Sequence, residues 1–215
     1  MKRITIITGH YGSGKSEVAI NLAIHKNIKY LVDLDIVNPY FRSRELAKML
    51  EETGINLISS PVSSFIGSDL PYTDWKAYSI FKDKDSAIYD LGGDKVGAKI
   101  LKQFLDLVDF SEVDLLMCIN VFREKTNSKE KIIKMIEEIQ LESNFKVTGL
   151  INNSNLLRET SLADIKFGEE IINEVSKFLN LKIVYTTISE KLVNPSINFL
   201  GEIIPLKLYL RKTWL

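Results

Sequence analysis

The sequence predicts a single α/β domain, a mainly parallel sheet covered by helices on both faces. Three observations carry this. Short β-branched runs alternate with stretches of helical periodicity from one end of the chain to the other. Most helical stretches reach ten residues, long enough to cross over between parallel strands. The most polar segments, GHYGSGKS, DLDIVNPYFRSRE and DLGGD, all fall at the carboxyl ends of strands, the edge where open α/β sheets bind ligands.

Taken in order, ITIITG (4–9) is a β-branched run that ends at glycine, a buried strand. Residues 15–25 place Val18, Ala19, Leu22 and Ala23 at helical spacing, and KYLVDLD (29–35) is the second strand. Residues 43–52 form a helix with Leu46, Met49 and Leu50 on one face, followed by the strand INLISS (55–60). PVSSFIGSDLPYT (61–73), with two prolines, a glycine and four Ser/Thr, is a long loop of the kind that often carries function. A short helix is expected over 74–81, then the strand SAIYDLGG (86–93), a helix over 95–107 and the strand VDLLMCIN (113–120). Residues 127–140 form a helix that Asn127 can cap, with Glu130 reaching back. The strand FKVTGLIN (145–152), a polar connection over 153–166, a helix over 167–179 and the strand LKIVYTT (181–187) complete the pattern. No repeat, linker or low-complexity tract divides the 215 residues, so one domain is expected.

Composition excludes several functions. The 28 acidic and 28 basic side chains balance, which argues against a general nucleic-acid binder. The single cysteine, Cys118, rules out an internal disulfide and a metal site of several thiolates; within VDLLMCIN it reads as a small buried hydrophobe. The N-terminus lacks the long apolar core of a secretory signal, and no run approaches the roughly 20 apolar residues of a spanning helix. A cytoplasmic protein without stable membrane insertion is the expectation.

The strongest motif is Gly9-His10-Tyr11-Gly12-Ser13-Gly14-Lys15-Ser16, which matches G-x-x-x-x-G-K-S/T between a strand and a helix. A triphosphate needs many donors converging on a small volume. Glycines let backbone amides turn inward, the first helical turn adds free amides and a positive dipole end, Lys15 supplies a point charge, and the Ser16 hydroxyl can ligate Mg²⁺. Asp90, at the end of SAIYD, is placed to hold a water on that metal, and Gly93 completes a D-x-x-G in which a backbone amide meets the γ-phosphate. Asp94 serves equally well as a helix cap. Asp33 and Asp35, two apart in an extended strand, point the same way, and such a pair needs a cation nearby. Asp35 is the stronger candidate for positioning water or contacting the metal from the outer shell.

GHYGSGKSE, VDLDIVNP, YDLGGD and GLINNSN (149–155) together resemble the MinD/ParA/CobQ-type family of the SIMIBI class of P-loop proteins, to which the nitrogenase iron protein also belongs. The resemblance implies a P-loop NTPase fold of seven or eight strands, ATP and Mg²⁺ as ligands, and a nucleotide-switched dimer. It places Gly12 to Ser16 on the phosphate loop, Asp35 on the switch aspartate, Asp90 on the Mg²⁺-water acid and Asn153 on an adenine-contacting asparagine, with Asn152 competing for that role. The chain departs from the family at His10, where many relatives carry a lysine that crosses a dimer, so a homodimer is left open. It has no cysteine pair for an iron–sulfur cluster, no N-K-x-D or T-K-x-D for guanine, and no room for a glutaminase domain. Arg42 and Arg44 in IVNPYFRSRE stand where relatives have a switch loop. The amphipathic tail 201–215 reads more readily as packed on the domain than as a membrane tether.

These residues point to a Mg²⁺-dependent ATPase acting as a nucleotide-controlled switch on an unknown protein partner. A small-molecule kinase or ATP-dependent ligase, with its acceptor held by loops 61–73 and 153–166, is the alternative. A nucleotide-bound scaffold without turnover is the non-enzymatic reading.

Overall fold

A computed structural model describes residues 1–35, 44–59, 75–93, 95–194 and 196–210, with side chains omitted at 44, 45, 95 and 96. The loop 61–73, Asn38, Pro39 and Arg42, the side chain of Arg44, Asp94 and the tail residues 211–215 lie outside the described residues.

Eight strands form one sheet: β1 (Ile4–Thr8), β2 (Tyr30–Asp33), β3 (Asn56–Ser59), β4 (Ala87–Asp90), β5 (Val113–Ile119), β6 (Gly149–Asn152), β7 (Lys182–Ser189) and β8 (Glu202–Leu206). Their order is β3-β2-β4-β1-β5-β6-β7-β8, and every pairing is parallel. Such a sheet must be covered on both faces. Here α1 (Lys15–His25) and α2 (Arg44–Glu52) lie against one, and α4 (Lys95–Lys102), α5 (Lys129–Ser143) and α6 (Leu162–Leu179) against the other. The short α3 (Trp75–Ser79) precedes β4. Alternation along β1 divides the core: Ile4 and Ile6 join Tyr89, Phe104, Ile136 and Ile172, while Ile7 joins Val18, Leu22, Leu50 and Ile151. Among the described residues no helix is long and apolar enough to cross a membrane.

The predicted parallel α/β sheet has the predicted helices in place, with several corrections at their edges. The helix expected over 95–107 stops at Lys102, and a separate 3₁₀ turn covers 105–107. Ser128, not Asn127, caps α5, its hydroxyl accepting from the Lys131 amide. The strand expected from Phe145 begins only at Gly149, because the Phe145 and Val147 amides are spent on Ser143 Oγ and Gln140 Oε1 at the end of α5. The polar connection over 153–166 is half helix: a capping box of Ser161 and Asp164 starts α6 five residues before Phe167.

The tail holds the eighth strand. Pro205 sits in β8, opposite Ile188, and it is tolerated because β8 is an edge strand. The following segment is fastened to α1 by two buried side chains. Asn21 exchanges hydrogen bonds with both the amide and carbonyl of Lys207, and Glu17 accepts from the Tyr209 and Leu210 amides at 3.0 and 2.8 Å. As far as residue 210, the tail is part of the domain rather than an amphipathic helix.

Candidate nucleotide-binding site

The carboxyl ends of the parallel strands gather the described candidate residues on one edge. β1 delivers the loop Gly9–Ser16. Gly14, immediately before α1, has φ 87°, a left-handed conformation, and a Cβ there would lie 2.4 Å from Asn153 Nδ2. Only glycine fits on both counts. Gly12 is also left-handed, at φ 77°. The amides of Gly12, Gly14, Lys15 and Ser16 make no hydrogen bond to a described residue, while Ser13 closes a turn onto the His10 carbonyl at 2.9 Å. A left-handed turn running into a helix start with its amides unspent is the anion-binding form of this motif.

Lys15 is buried and forms an ion pair with Asp35 at 3.3 Å, both side chains less than a tenth exposed. Burial pulls the Lys15 pKa down, but the charges of Asp90 and Asp35 and the hydrogen bond to Asp35 more than offset it, so the net shift is upward. Lys15 is therefore held charged.

Asp90 lies in register with Ile7 on one side and with Asp33 on the other. It is completely buried, and neither carboxylate oxygen has a hydrogen-bond partner among the described residues. Burial pushes its pKa up to about 6, against the Lys15 charge and the Ser16 hydroxyl, which pull down, while Asp35 adds to the rise. The hydroxyl stands near enough to act on the carboxylate without meeting hydrogen-bond geometry.

Asp33 and Asp35 are both buried at the end of β2, where Val32 and Leu34 pack together into one core cluster and Leu31 into the other. β2 ends at Asp33, whose Oδ1 accepts from the Asp35 amide at 3.0 Å, while the Asp35 carboxylate meets Lys15. Gly93 packs backbone to backbone on the start of the loop: a Cβ on it would lie 1.6 Å from the Gly9 carbonyl.

These groups fit Mg²⁺. A hard cation of this kind takes few protein ligands and keeps its waters, so a hydroxyl and one or two carboxylates are enough. The unpartnered oxygens of Asp90 beside Ser16 are such a donor set, and no cluster of three or more His, Cys, Asp or Glu occurs among the described residues.

On the other side of β1, Asn153 is buried. Its Nδ2 donates to the Ser13 carbonyl at 2.6 Å, and its Oδ1 accepts from Thr187. It borders a cavity of about 460 Å³ that also touches Gly12, Gly14, Arg158, Lys191 and Lys207. Asn152 is fully buried, and its amide is spent on the Ile165 carbonyl and the Ser154 amide. Of the two asparagines, only Asn153 borders the cavity. Tyr11 is exposed at the tip of the loop. His10, beside it, is held below the usual histidine pKa by burial and by the charges of Lys125, Lys15 and Arg123, so it is neutral at pH 7.

Two groups here escape sequence reading. Cys118 is a buried small residue, as expected, but its thiol also contacts the Ser13 carbonyl at 3.6 Å beneath the loop; burial pushes that thiol up to about 12. Arg123 donates from Nε to the Gly12 carbonyl at 2.9 Å. Its only sequence signal is its place just after a strand of the same edge.

No protein-family model and no curated protein sequence matches the chain. Solved structures do. The cell division protein FtsY of Thermotoga maritima aligns over 87% of this chain at 18% identity and a TM-score of 0.52. The signal recognition particle receptor FtsY of Elizabethkingia anophelis aligns over 89% at 16% identity, also with a TM-score of 0.52. Chloroplast FtsY of Physcomitrella patens aligns over 86% at 13% identity with a TM-score of 0.51. The chain spans only 62%, 62% and 58% of those three chains. At such identities the likeness is one of fold, and the fold it shows is the α/β P-loop fold.

Proposed function

We propose that this chain is a cytoplasmic, Mg²⁺-dependent ATPase of the MinD/ParA/CobQ type that works as a nucleotide-controlled switch on a protein partner. The observation that carries the proposal is the buried Lys15–Asp35 pair at 3.3 Å beside an Asp90 whose oxygens have no partner. An ion pair taken out of water is stable only while each charge keeps its counter-charge. A γ-phosphate at the loop competes for Lys15. Asp35 then loses its cation and turns to the attacking water. The Gly12, Gly14, Lys15 and Ser16 amides receive the phosphate oxygens. Mg²⁺, held by Ser16 and through water by Asp90, would neutralise charge between the β- and γ-phosphates. Water attacks the γ-phosphorus as the bond to the β-phosphate oxygen breaks, leaving ADP and phosphate.

Adenine is favoured over guanine by the absence of an N-K-x-D or T-K-x-D segment after a strand and by Asn153 at the cavity wall. A side-chain amide both donates and accepts, as the adenine edge requires. A second copy of the chain would close on the outer face of the loop, at His10 and Tyr11. Calorimetry with Mg²⁺–ATP and Mg²⁺–GTP tests the reading. It predicts ATP binding in the micromolar range or tighter, weaker GTP binding, and slow phosphate release lost in Lys15→Ala and Asp35→Ala. Absence of nucleotide binding at high micromolar concentrations would overturn it, and preference for GTP would overturn the adenine assignment.

A small-molecule kinase or ligase has one observation in its favour. A second cavity, of about 440 Å³, opens beside His10 and Gly93 between Lys125 and the Lys134 and Glu138 side of α5. Under that reading, a metabolite that raises ADP without free phosphate identifies the acceptor.

A further inference from the structure

The turn after β5 is built for rigidity. Asn120 and Thr126 are fully buried. The Asn120 carbonyl accepts from Thr126 Oγ1 at 2.7 Å and from the Arg123 amide at 3.1 Å, and its side-chain oxygen accepts from the Phe122 amide at 3.0 Å. The Thr126 amide closes the turn onto the Arg123 carbonyl at 2.9 Å. Asn120 Nδ2 ties the whole to the Asn155 carbonyl in the loop after β6. Nothing in the sheet requires so firm a turn. What it presents is Arg123.

The Arg123 guanidinium is half-committed. Nε donates to the Gly12 carbonyl at 2.9 Å, but the two Nη atoms make no hydrogen bond to a described residue, and no described carboxylate pairs with the charge. The side chain borders the cavity that runs along Gly12, Gly14 and Asn153. A planar guanidinium fixed at Nε leaves a rigid pair of donors at its far edge, the geometry that meets a phosphate in two-point fashion. With Lys15 it makes a second cation at the loop, one on the inner side and one on the outer.

We propose that Arg123 is a nucleotide-contacting residue, a cation supplied by the same chain that clamps the Gly12 carbonyl with Nε and grips a phosphate oxygen of the bound nucleotide with Nη1 and Nη2. The proposal rests on the nucleotide-binding reading above and deepens it. Arg123 gives the site a positive charge in place before the nucleotide arrives, at the flank where His10 is neutral.

The test compares wild type, Arg123→Gln, Arg123→Lys and Lys15→Ala by calorimetric titration with Mg²⁺–ATP and Mg²⁺–ADP across a range of salt concentrations. Arg123→Gln is expected to weaken ATP binding by about 10- to 100-fold, the scale of one charge-assisted contact. It should also flatten the dependence of affinity on salt, since one phosphate-facing charge is gone. Arg123→Lys is expected to restore the salt dependence and only part of the affinity, because a single ammonium cannot hold the carbonyl and the phosphate together. Thermal melts of the ligand-free proteins should stay close, which separates loss of contact from loss of fold. Arg123→Gln binding within twofold of wild type, with an unchanged salt slope and Lys15→Ala still inactive, would overturn the role of Arg123 and leave the nucleotide reading standing. Wild type that binds neither nucleotide would overturn both.

Discussion

The two flanks of β1 use buried polar groups in opposite ways. On the β2–β4 flank stand carboxylates: Asp35 with Lys15 as its counter-ion, and Asp90, fully buried with both oxygens unpartnered. On the β5–β7 flank stand amides: Asn120, Asn152 and Asn153, each bonded to backbone of a neighbouring loop or helix. Burying a polar group without a partner costs free energy, so a fold leaves one unsatisfied only where something else will meet it. Asn120 and Asn152 are scaffold that holds the surrounding loops in shape, while Asn153 lies at the cavity. Under the proposed function the acid flank receives a cation and a phosphate. Substitutions of the acids and of the scaffold amides should therefore fail differently, with lost ligand chemistry in the first case and lost stability in the second.

The largest effect is expected where the two properties meet. Lys15→Ala removes the cation from a buried pair and should cost about 3–5 kcal/mol of stability. Calorimetry should show no nucleotide binding. Adding Asp35→Asn should recover much of the melting temperature and none of the binding; recovery of both would dissolve the distinction.

Asn152→Ala comes next. It strips the Ile165 carbonyl and the Ser154 amide of partners inside the fold. A loss of about 2–3 kcal/mol is expected in denaturant unfolding, with nucleotide affinity of the folded protein within a few-fold of wild type. A large affinity loss at unchanged stability would place Asn152 in the site.

Asp90→Asn should do the reverse. Burial raises the folded-state pKa of Asp90 to about 6, above its value in the unfolded chain. The ligand-free fold therefore holds this proton more tightly than the unfolded chain does. Stability from this group is fully present below about pH 4, falls as pH rises toward 6, and is gone above it. Asp90→Asn should flatten that segment of the stability curve and melt at or above wild type at pH 8, while weakening Mg²⁺-dependent ATP binding. Destabilisation at pH 8 with intact Mg²⁺ dependence would contradict the account.

The smallest effect is expected from His10→Lys. It adds a charge near Lys125 and Arg123 at a half-exposed position and should cost no more than about 1 kcal/mol. Light scattering with Mg²⁺–ATP would show whether the lysine promotes a dimer that the histidine does not.

Much of this contrast was legible in the sequence. The phosphate loop, Asp90 and Asp35 are local patterns that spacing alone singles out, and hydrophobic periodicity located seven strands. What escaped depends on distance. β8 is only five residues long and carries a proline, and it is recognisable only once β7 is beside it. Arg123 became a site residue through a contact 111 residues away, at Gly12. Asn152 and Asn153 are chemically identical neighbours, and only alternation along β6 decides that one faces Ile165 and the other faces Ser13.

The central claim is that Asp90 is kept buried and unpartnered for a metal that comes with a nucleotide. Titrating the protein with Mg²⁺–ATP at pH 6 and pH 8, each in two buffers of different ionisation enthalpy, and again with chelator, tests it most directly. Proton release of about half an equivalent at pH 6, none at pH 8, tighter binding at pH 8 and loss of that tightening under chelator are expected. Binding indifferent to both Mg²⁺ and pH, or no binding at all, would contradict it.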